Sequence, residues 1–148
     1  MKRIRGRYYF GRVLKSGLLD NDKLLSSLRE PITLTINKYS WSIRDFRIMK
    51  SSGVEFYFGF LTKFQQEGLI SKFDRVHHTS IDHIEPDMII ASSPFIYIPK
   101  YSGIVYLHIW NQIQQEVFVK RFTELVMEKY ENFFVSCEIE SISDLRTF

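Results

Sequence analysis

The sequence lacks both covalent cross-links and membrane-spanning segments. Its 148 residues include a single cysteine, Cys137, so no intramolecular disulfide can form. No apolar run approaches the roughly 20 residues of a membrane-spanning helix, and the basic first residues are not followed by the apolar stretch of a signal peptide. We therefore expect a cytoplasmic protein without a membrane partner, in which Cys137 is a small apolar residue of a strand.

Sequence motifs for nucleotide binding, hydrolysis and metal binding are also missing. The seven glycines match neither the GxGxxG nor the GxxxxGK pattern, and no serine lies in a GxSxG elbow. The histidines and the cysteine form neither an HExxH sequence nor a CxxC pair. We therefore predict no cofactor and no metal site.

The chain is rich in aromatic residues and has a length suited to one domain. Phe, Trp and Tyr make up 16% of it, including 13 Phe and 8 Tyr. Such residues favour strands and interfaces. Internal repeats, low-complexity segments and linker-like stretches are absent from the sequence, which predicts a single domain over residues 1–148.

Charge is distributed unevenly along the chain. Residues 1–75 contain 15 Lys and Arg against 7 Asp and Glu, whereas residues 76–148 contain 5 against 10. The first basic residues surround Tyr8, Tyr9 and Phe10, a composition typical of surfaces that neutralise phosphates and stack bases. Two other interpretations stay open: an edge strand protected by its charges, and self-association of a basic half with an acidic half.

The residues predicted to contact nucleic acid lie in this N-terminal strand and in a later extended segment. They are Arg3, Arg5, Arg7, Tyr9, Arg12, Arg44, Arg47 and Lys50. RNA or another single strand is the predicted partner, because unpaired bases can stack on aromatic and guanidinium planes.

Hydrophobic periodicity predicts the order of the secondary-structure elements. The predicted strands cover residues 7–14, 32–48 with a bulge near Asp45, 54–64, 88–91, 95–98, 104–110 and 134–142. A short helix is predicted to begin at Asp20 or Asn21 and to end before Pro31, and a longer one covers residues 111–132. Residues 65–71 are predicted to form a loop or a single helical turn, and residues 143–146 resemble the start of a further helix.

This order predicts an α+β fold in which two helices pack on one face of a mostly antiparallel sheet. An elaborated ferredoxin-like split βαβ arrangement is the predicted topology.

The histidines are the only candidates for catalytic residues. His77, His78 and His83 are close in sequence, and His108 lies in a later strand. His78 and His108 could act as general base and acid in metal-free RNA cleavage only if their strands adjoin. A solvated polar connection is the simpler interpretation, so no catalytic residue is assigned.

The last third of the chain resembles small proteins encoded in bacterial mobile elements and defence loci. The resemblance lies in the stretch from Phe95 through Ile104 to Ile109, the helix that follows, and residues 135–139 with the Ser-Asp-Leu sequence after them. It implies a source in bacteria or phage and carries over no functional residue.

The sequence therefore favours a non-catalytic module that binds nucleic acid through its basic aromatic N-terminal strand. One alternative is a protein-interaction or oligomerisation subunit, such as part of a phage-defence assembly. The other is a small metal-independent RNase or toxin that uses the histidines.

Overall fold

A computed structural model describes residues 6–74, 79–131 and 133–142 of the chain. Strands account for more than half of the chain. The elements within the described ranges are β1 (Tyr8–Gly17), α1 (Asn21–Arg29), β2 (Leu34–Ile36), β3 (Tyr39–Ser51), β4 (Val54–Asp74), β5 (Thr79–Ile98), β6 (Gly103–Leu107), α2 (Gln115–Lys129) and β7 (Val135–Ser141).

The strands form one antiparallel sheet that is curled into a half-barrel. Their order across the sheet is β2-β3-β4-β5-β6-β1-β7. Neighbours in the chain from β2 to β6 are joined by hairpins, whereas β1 lies between β6 and β7, pairing Tyr8 with Leu107 and Lys15 with Cys137. Because β1 is interior, the interpretation of the basic N-terminal strand as an edge strand is wrong.

The predicted ferredoxin-like arrangement of helices on a sheet is also wrong. In that fold each helix connects two strands that are separated by one other strand. Here five consecutive strands, β2 to β6, lie side by side, and α1 connects β1 to β2 across four other strands of a curled sheet. The error arose in the middle of the chain. Residues 65–71, predicted as a loop, continue β4 to Asp74, and β5 runs without interruption from Thr79 through Pro94.

The core lies on one side of the sheet, between the strands and the two helices. Asp20 caps α1 by accepting a hydrogen bond from the backbone N–H of Lys23, as the sequence predicts. In α2, Phe118 stacks on Tyr106 with ring centres 3.9 Å apart, and Phe122 contacts Phe95 edge to face. We call this side of the sheet the inner face and the opposite side the outer face.

Two smaller predictions concern Cys137 and the residues that follow β7. Cys137 lies in β7 and is buried, as predicted, and burial raises the pKa of its thiol to about 12. The helix predicted to begin at residue 143 lies outside the described residues. None of the described helices has the length and apolar character needed to cross a lipid bilayer.

Candidate nucleic-acid interface

The outer face of the sheet has an aromatic and aliphatic centre. In β4, side chains alternate so that Tyr57 and Leu61 are buried against the helices while Phe58 and Phe60 lie on the outer face. The ladder pairs then place further apolar residues beside them. The apolar residues of the outer face include Tyr8, Phe10, Phe56, Phe58, Phe60, Pro94, Ile96 and Val105.

A β-bulge in β3 brings two arginines to this face. The register shifts between Arg44 and Arg47, and Asp45 adopts a left-handed φ of 52°. Residues three apart in a regular strand lie on opposite faces, but the extra residue of a bulge places their side chains on the same face. Arg44 is therefore paired with Phe60, and Arg47 is paired with Phe58. The sequence predicts this bulge.

Both guanidinium groups lie over phenylalanine rings. The Arg44 Cζ is 4.2 Å from the centre of the Phe60 ring, and the Arg47 Cζ is 5.4 Å from the centre of the Phe58 ring. The two rings contact each other edge to face at 5.2 Å. Such stacking fixes the position of each guanidinium while it keeps its positive charge at the surface.

A groove lined by hydroxyl groups begins beside Arg44. Its volume is about 430 Å³, and Thr33, Ser42 and Thr62 line it together with the apolar residues Ile43, Phe64 and Ile89. Arg44 Nε donates a hydrogen bond to Ser92 Oγ at 3.3 Å, while Arg44 Nη1 is paired with Asp45. The groove therefore combines a guanidinium with several neutral donors and acceptors.

A second, apolar depression lies across the sheet. It has a volume of about 100 Å³ and is lined by Tyr8, Phe58, Pro94, Ile96 and Val105. Apolar cavities of about 150 Å³ hold a benzene ring, so an open depression of this size can take part of a flat ring. The outer face is four strand spacings wide from β3 to β1, which is about 19 Å.

The structure divides the predicted contact residues between the two faces. Arg12, Arg44 and Arg47 lie on the outer face, where Arg12 is opposite Glu140 of β7. Tyr9 lies on the inner face and stacks on Tyr106 at 5.8 Å. Three further predicted residues are not placed on the outer face: Arg7 precedes β1, and Arg3 and Arg5 lie outside the described residues.

Lys50 is also separated from the arginines of β3. It lies opposite Glu55 near the turn of the β3–β4 hairpin, and its side chain alternates away from that of Met49, which pairs with Phe56 on the outer face.

The candidate catalytic histidines are not brought together within the described residues. His77 and His78 lie outside them, and the backbone of His83 is paired with Ile70 in a part of β5 that has no pairing with β6. His108 follows β6, where its ring contacts Tyr9 and Trp110 and both ring nitrogens are buried without a hydrogen-bond partner. Among described side chains, no group of three or more His, Cys, Asp and Glu could hold a metal ion.

Sequence reasoning missed the strongest part of the site. The prediction named the cations but not Phe58, Phe60 or Tyr8, although Phe58 and Phe60 are in the most regular strand of the sequence. The alternation shows that they share a face, and nothing in the sequence indicates that the helices cover the opposite one. No protein-family model, curated protein or solved structure matches this chain.

Proposed function

We propose that the chain is a non-catalytic module that binds single-stranded nucleic acid, preferably RNA, across the outer face of its sheet. The observation that carries this proposal is the pair of arginines stacked on Phe58 and Phe60. These residues lie on the side of the sheet opposite the two helices, which pack on the inner face.

The chemistry of this surface suits both parts of a nucleotide. Aromatic rings and guanidinium planes stack on unpaired bases, and each stacked base contributes about 1–3 kcal/mol. Arginine also binds phosphate oxygens through two parallel N–H groups, which gives stronger and more directional contacts than a lysine does. Stacking by Phe58 and Phe60 therefore supplies affinity without sequence specificity, together with positive charge from Arg47 and from Arg44, which Asp45 partly balances.

The groove beside Arg44 supports a preference for RNA. Thr33, Ser42 and Thr62 line it. Ser42 and Thr62 donate to the carbonyl oxygens of Ile32 and Phe60, at 2.7 Å and 3.3 Å, and each hydroxyl oxygen can still accept a hydrogen bond. The ribose 2′-hydroxyl, which DNA lacks, is also a donor and an acceptor. We assign the groove to the sugar and phosphate of one nucleotide and the apolar depression near Tyr8 to a base.

The remaining predicted contact residues are peripheral to the proposed binding surface. Arg12 is the basic residue of β1 on the same face, and Arg3 and Arg5 precede that strand in the sequence. These residues would increase the electrostatic attraction of the strand without stacking on bases. Arg7, Tyr9 and Lys50 are not assigned to the surface.

The decisive experiment is fluorescence anisotropy with a labelled 12-nucleotide RNA of mixed sequence. The variant Arg44→Gln/Arg47→Gln should bind at least tenfold more weakly than the unmodified protein. The matched control is Arg29→Gln/Lys120→Gln, which removes the same charge from exposed residues of the two helices. Equal binding by the two double variants would show that net charge alone matters and would overturn the proposal.

A second candidate function is self-association through the same face. It is favoured by the exposure of apolar side chains there, with Tyr8 40% and Met49 44% exposed. Salt distinguishes the two functions, because binding of nucleic acid weakens steeply with salt and an apolar interface does not. Light scattering at 50 mM and 500 mM NaCl would reveal a salt-resistant dimer.

A further inference from the structure

On the inner face, a separate groove lies between the β2–β3 hairpin, β4 and the start of α2. Its volume is about 310 Å³, at the lower end of the range for small-molecule sites. We call it the inner groove. Its polar lining residues are Lys63, Arg121, Asn37, Asn111, Gln112 and Gln114.

The inner groove contains two cations and no acidic lining residue within the described part of the chain. Lys63 extends from β4 and Arg121 from α2, so the two positive charges approach from different elements. Glu124 pairs with Arg121 at 2.8 Å but does not line the groove. The charge of Arg121 is thus partly balanced from outside the groove, whereas Lys63 has no carboxylate partner among the residues that the structure describes and gives the groove a positive potential.

Aromatic rings hold both cations in place. Lys63 Nζ lies 4.1 Å from the centre of the Tyr39 ring, and both Lys63 and Arg121 contact the Trp41 ring, at 5.7 Å and 5.5 Å. Trp41 is itself buried. The positions of the charges are thus fixed by packing before any ligand binds, which lowers the entropic cost of binding.

Several hydrogen-bond donors in the groove remain unused. Lys63 donates to Gln112 Oε1 at 3.2 Å, which leaves two of its three N–H groups, and no carboxylate is paired with it among the described residues. Arg121 donates from Nη1 to Glu124 Oε2 at 2.8 Å, which leaves the N–H groups of Nη2 for a ligand. Its Nε is buried away from solvent and is not one of these donors.

We infer that the inner groove binds a small phosphate ester. A phosphate group offers three strong acceptor oxygens and up to two negative charges, which match the free donors of Lys63 and Arg121. The four amide side chains both donate and accept hydrogen bonds, so they suit the hydroxyl or base groups of the ester. This site is distinct from the outer face and does not depend on the proposed binding of nucleic acid.

The test is isothermal titration calorimetry with inorganic phosphate, adenosine 5′-monophosphate and adenosine. We expect the two phosphates to bind and adenosine not to bind. Lys63→Met keeps the apolar stem over Tyr39 and Trp41 but removes the charge, and Arg121→Gln removes the second charge. Each should weaken binding of the nucleotide by roughly tenfold or more, as is typical for loss of a charge-assisted hydrogen bond.

The matched control is Lys120→Met, which removes one charge from the exposed neighbour of Arg121 on the same helix. It should bind like the unmodified protein, and so should Arg29→Gln, which removes one charge from an exposed residue of α1. A loss in Arg44→Gln together with full binding by Lys63→Met would assign the phosphate to the outer face and overturn the proposal. So would the absence of binding, or binding of adenosine as tightly as its phosphate.

A second measurement does not depend on the folding of any variant. Titration of the unmodified, ¹⁵N-labelled protein with adenosine 5′-monophosphate should shift the amide resonances of Asn111, Gln112 and Gln114 before all others. Shifts confined to β1, β3 or the outer side of β4 would contradict the site.

Discussion

The guanidinium carbon of Arg44 lies 4.2 Å from the centre of the Phe60 ring, on the side of the sheet opposite the helices. A cation and a ring in this geometry attract each other by about 0.5–1 kcal/mol at an exposed site. The pair therefore does little for folding. Its value is that a positively charged plane is held in a fixed place at the surface, with Arg47 on Phe58 repeating the arrangement one ladder step away.

Arg47 and Phe58 should affect binding of single strands in different ways. Replacing Arg47 with Gln removes one phosphate contact, so the slope of log affinity against log salt should become shallower by about 0.7. Replacing Phe58 with Leu should weaken binding at every salt concentration by about 1–3 kcal/mol and leave the slope unchanged, because stacking releases no counterions. Anisotropy titrations between 50 and 200 mM salt measure both quantities. A change of slope in Phe58→Leu would contradict its role in stacking.

The packing of α2 on the sheet should dominate stability. Phe118 is fully buried and stacks on Tyr106, so Phe118→Ala should lower the free energy of unfolding by about 3–5 kcal/mol. Phe133 is 67% exposed, and Phe133→Ala serves as the control with an expected change within about 0.5 kcal/mol. Urea unfolding followed by circular dichroism gives both values. Similar losses in the two variants would mean that α2 does not form the core.

Gly17 and Gly53 provide a matched test of backbone crowding. Both have a left-handed φ, of 67° and 77°, so alanine at either position meets the same local strain. A Cβ at Gly17 would also collide with the carbonyl oxygen of Phe134, whereas one at Gly53 would meet nothing within 4 Å.

Gly17→Ala should therefore lower the melting temperature clearly more than Gly53→Ala does. The difference between the two melting temperatures measures the clash between the end of β1 and the residue before β7. Equal melting temperatures would mean that Gly17 and Phe134 are not in close contact.

The thiol of Cys137 should resist both ionisation and alkylation. Burial raises its pKa to about 12 from an ordinary value of 9.0, so the folded state keeps the proton that the unfolded state releases. This group therefore leaves the free energy of unfolding unchanged below pH 9 and lowers it as the pH rises from 9 towards 12. In the variant Cys137→Ala this part of the alkaline loss of stability should be absent.

Reaction with iodoacetamide provides the direct measurement. At pH 8 the folded protein should react at least a hundredfold more slowly than the protein in 6 M guanidinium chloride. Reaction at the rate of a free thiol would contradict the burial of Cys137 in β7.

The elements with strong local signals could be predicted from the sequence. Asp20 marks the start of α1 because its carboxylate caps the backbone N–H of Lys23, and the bulge near Asp45 follows from the break in alternation. Residues 65–71 were misassigned because Gly68 and neighbouring polar residues resemble a loop, although their backbone pairs with β5. These residues form a strand because they pair with β5, and local propensity does not report such pairing.

The candidate site was predictable only in part for the same reason. Arg44 and Arg47 are evident as basic residues, but their position beside Phe60 and Phe58 depends on the register of the β3–β4 ladder. The inner groove is even harder to predict from the sequence. Lys63 and Arg121 are far apart in sequence and come together only because α2 brings Arg121 to the Trp41 ring, which Lys63 of β4 also contacts. No local pattern reports this tertiary contact.

The position of β1 between β6 and β7 determines when the sheet can be completed during synthesis. As the chain leaves the ribosome, the hairpins from β2 to β6 can pair one after another, but β1 must wait for β6 near residue 103 and then for β7 near residue 135. Until then its aromatic residues remain without their native partners. Contacts of such long sequence separation slow folding, and unpaired aromatic strands favour aggregation. A nascent-chain assay should therefore find native-like protease resistance only after β7 has emerged.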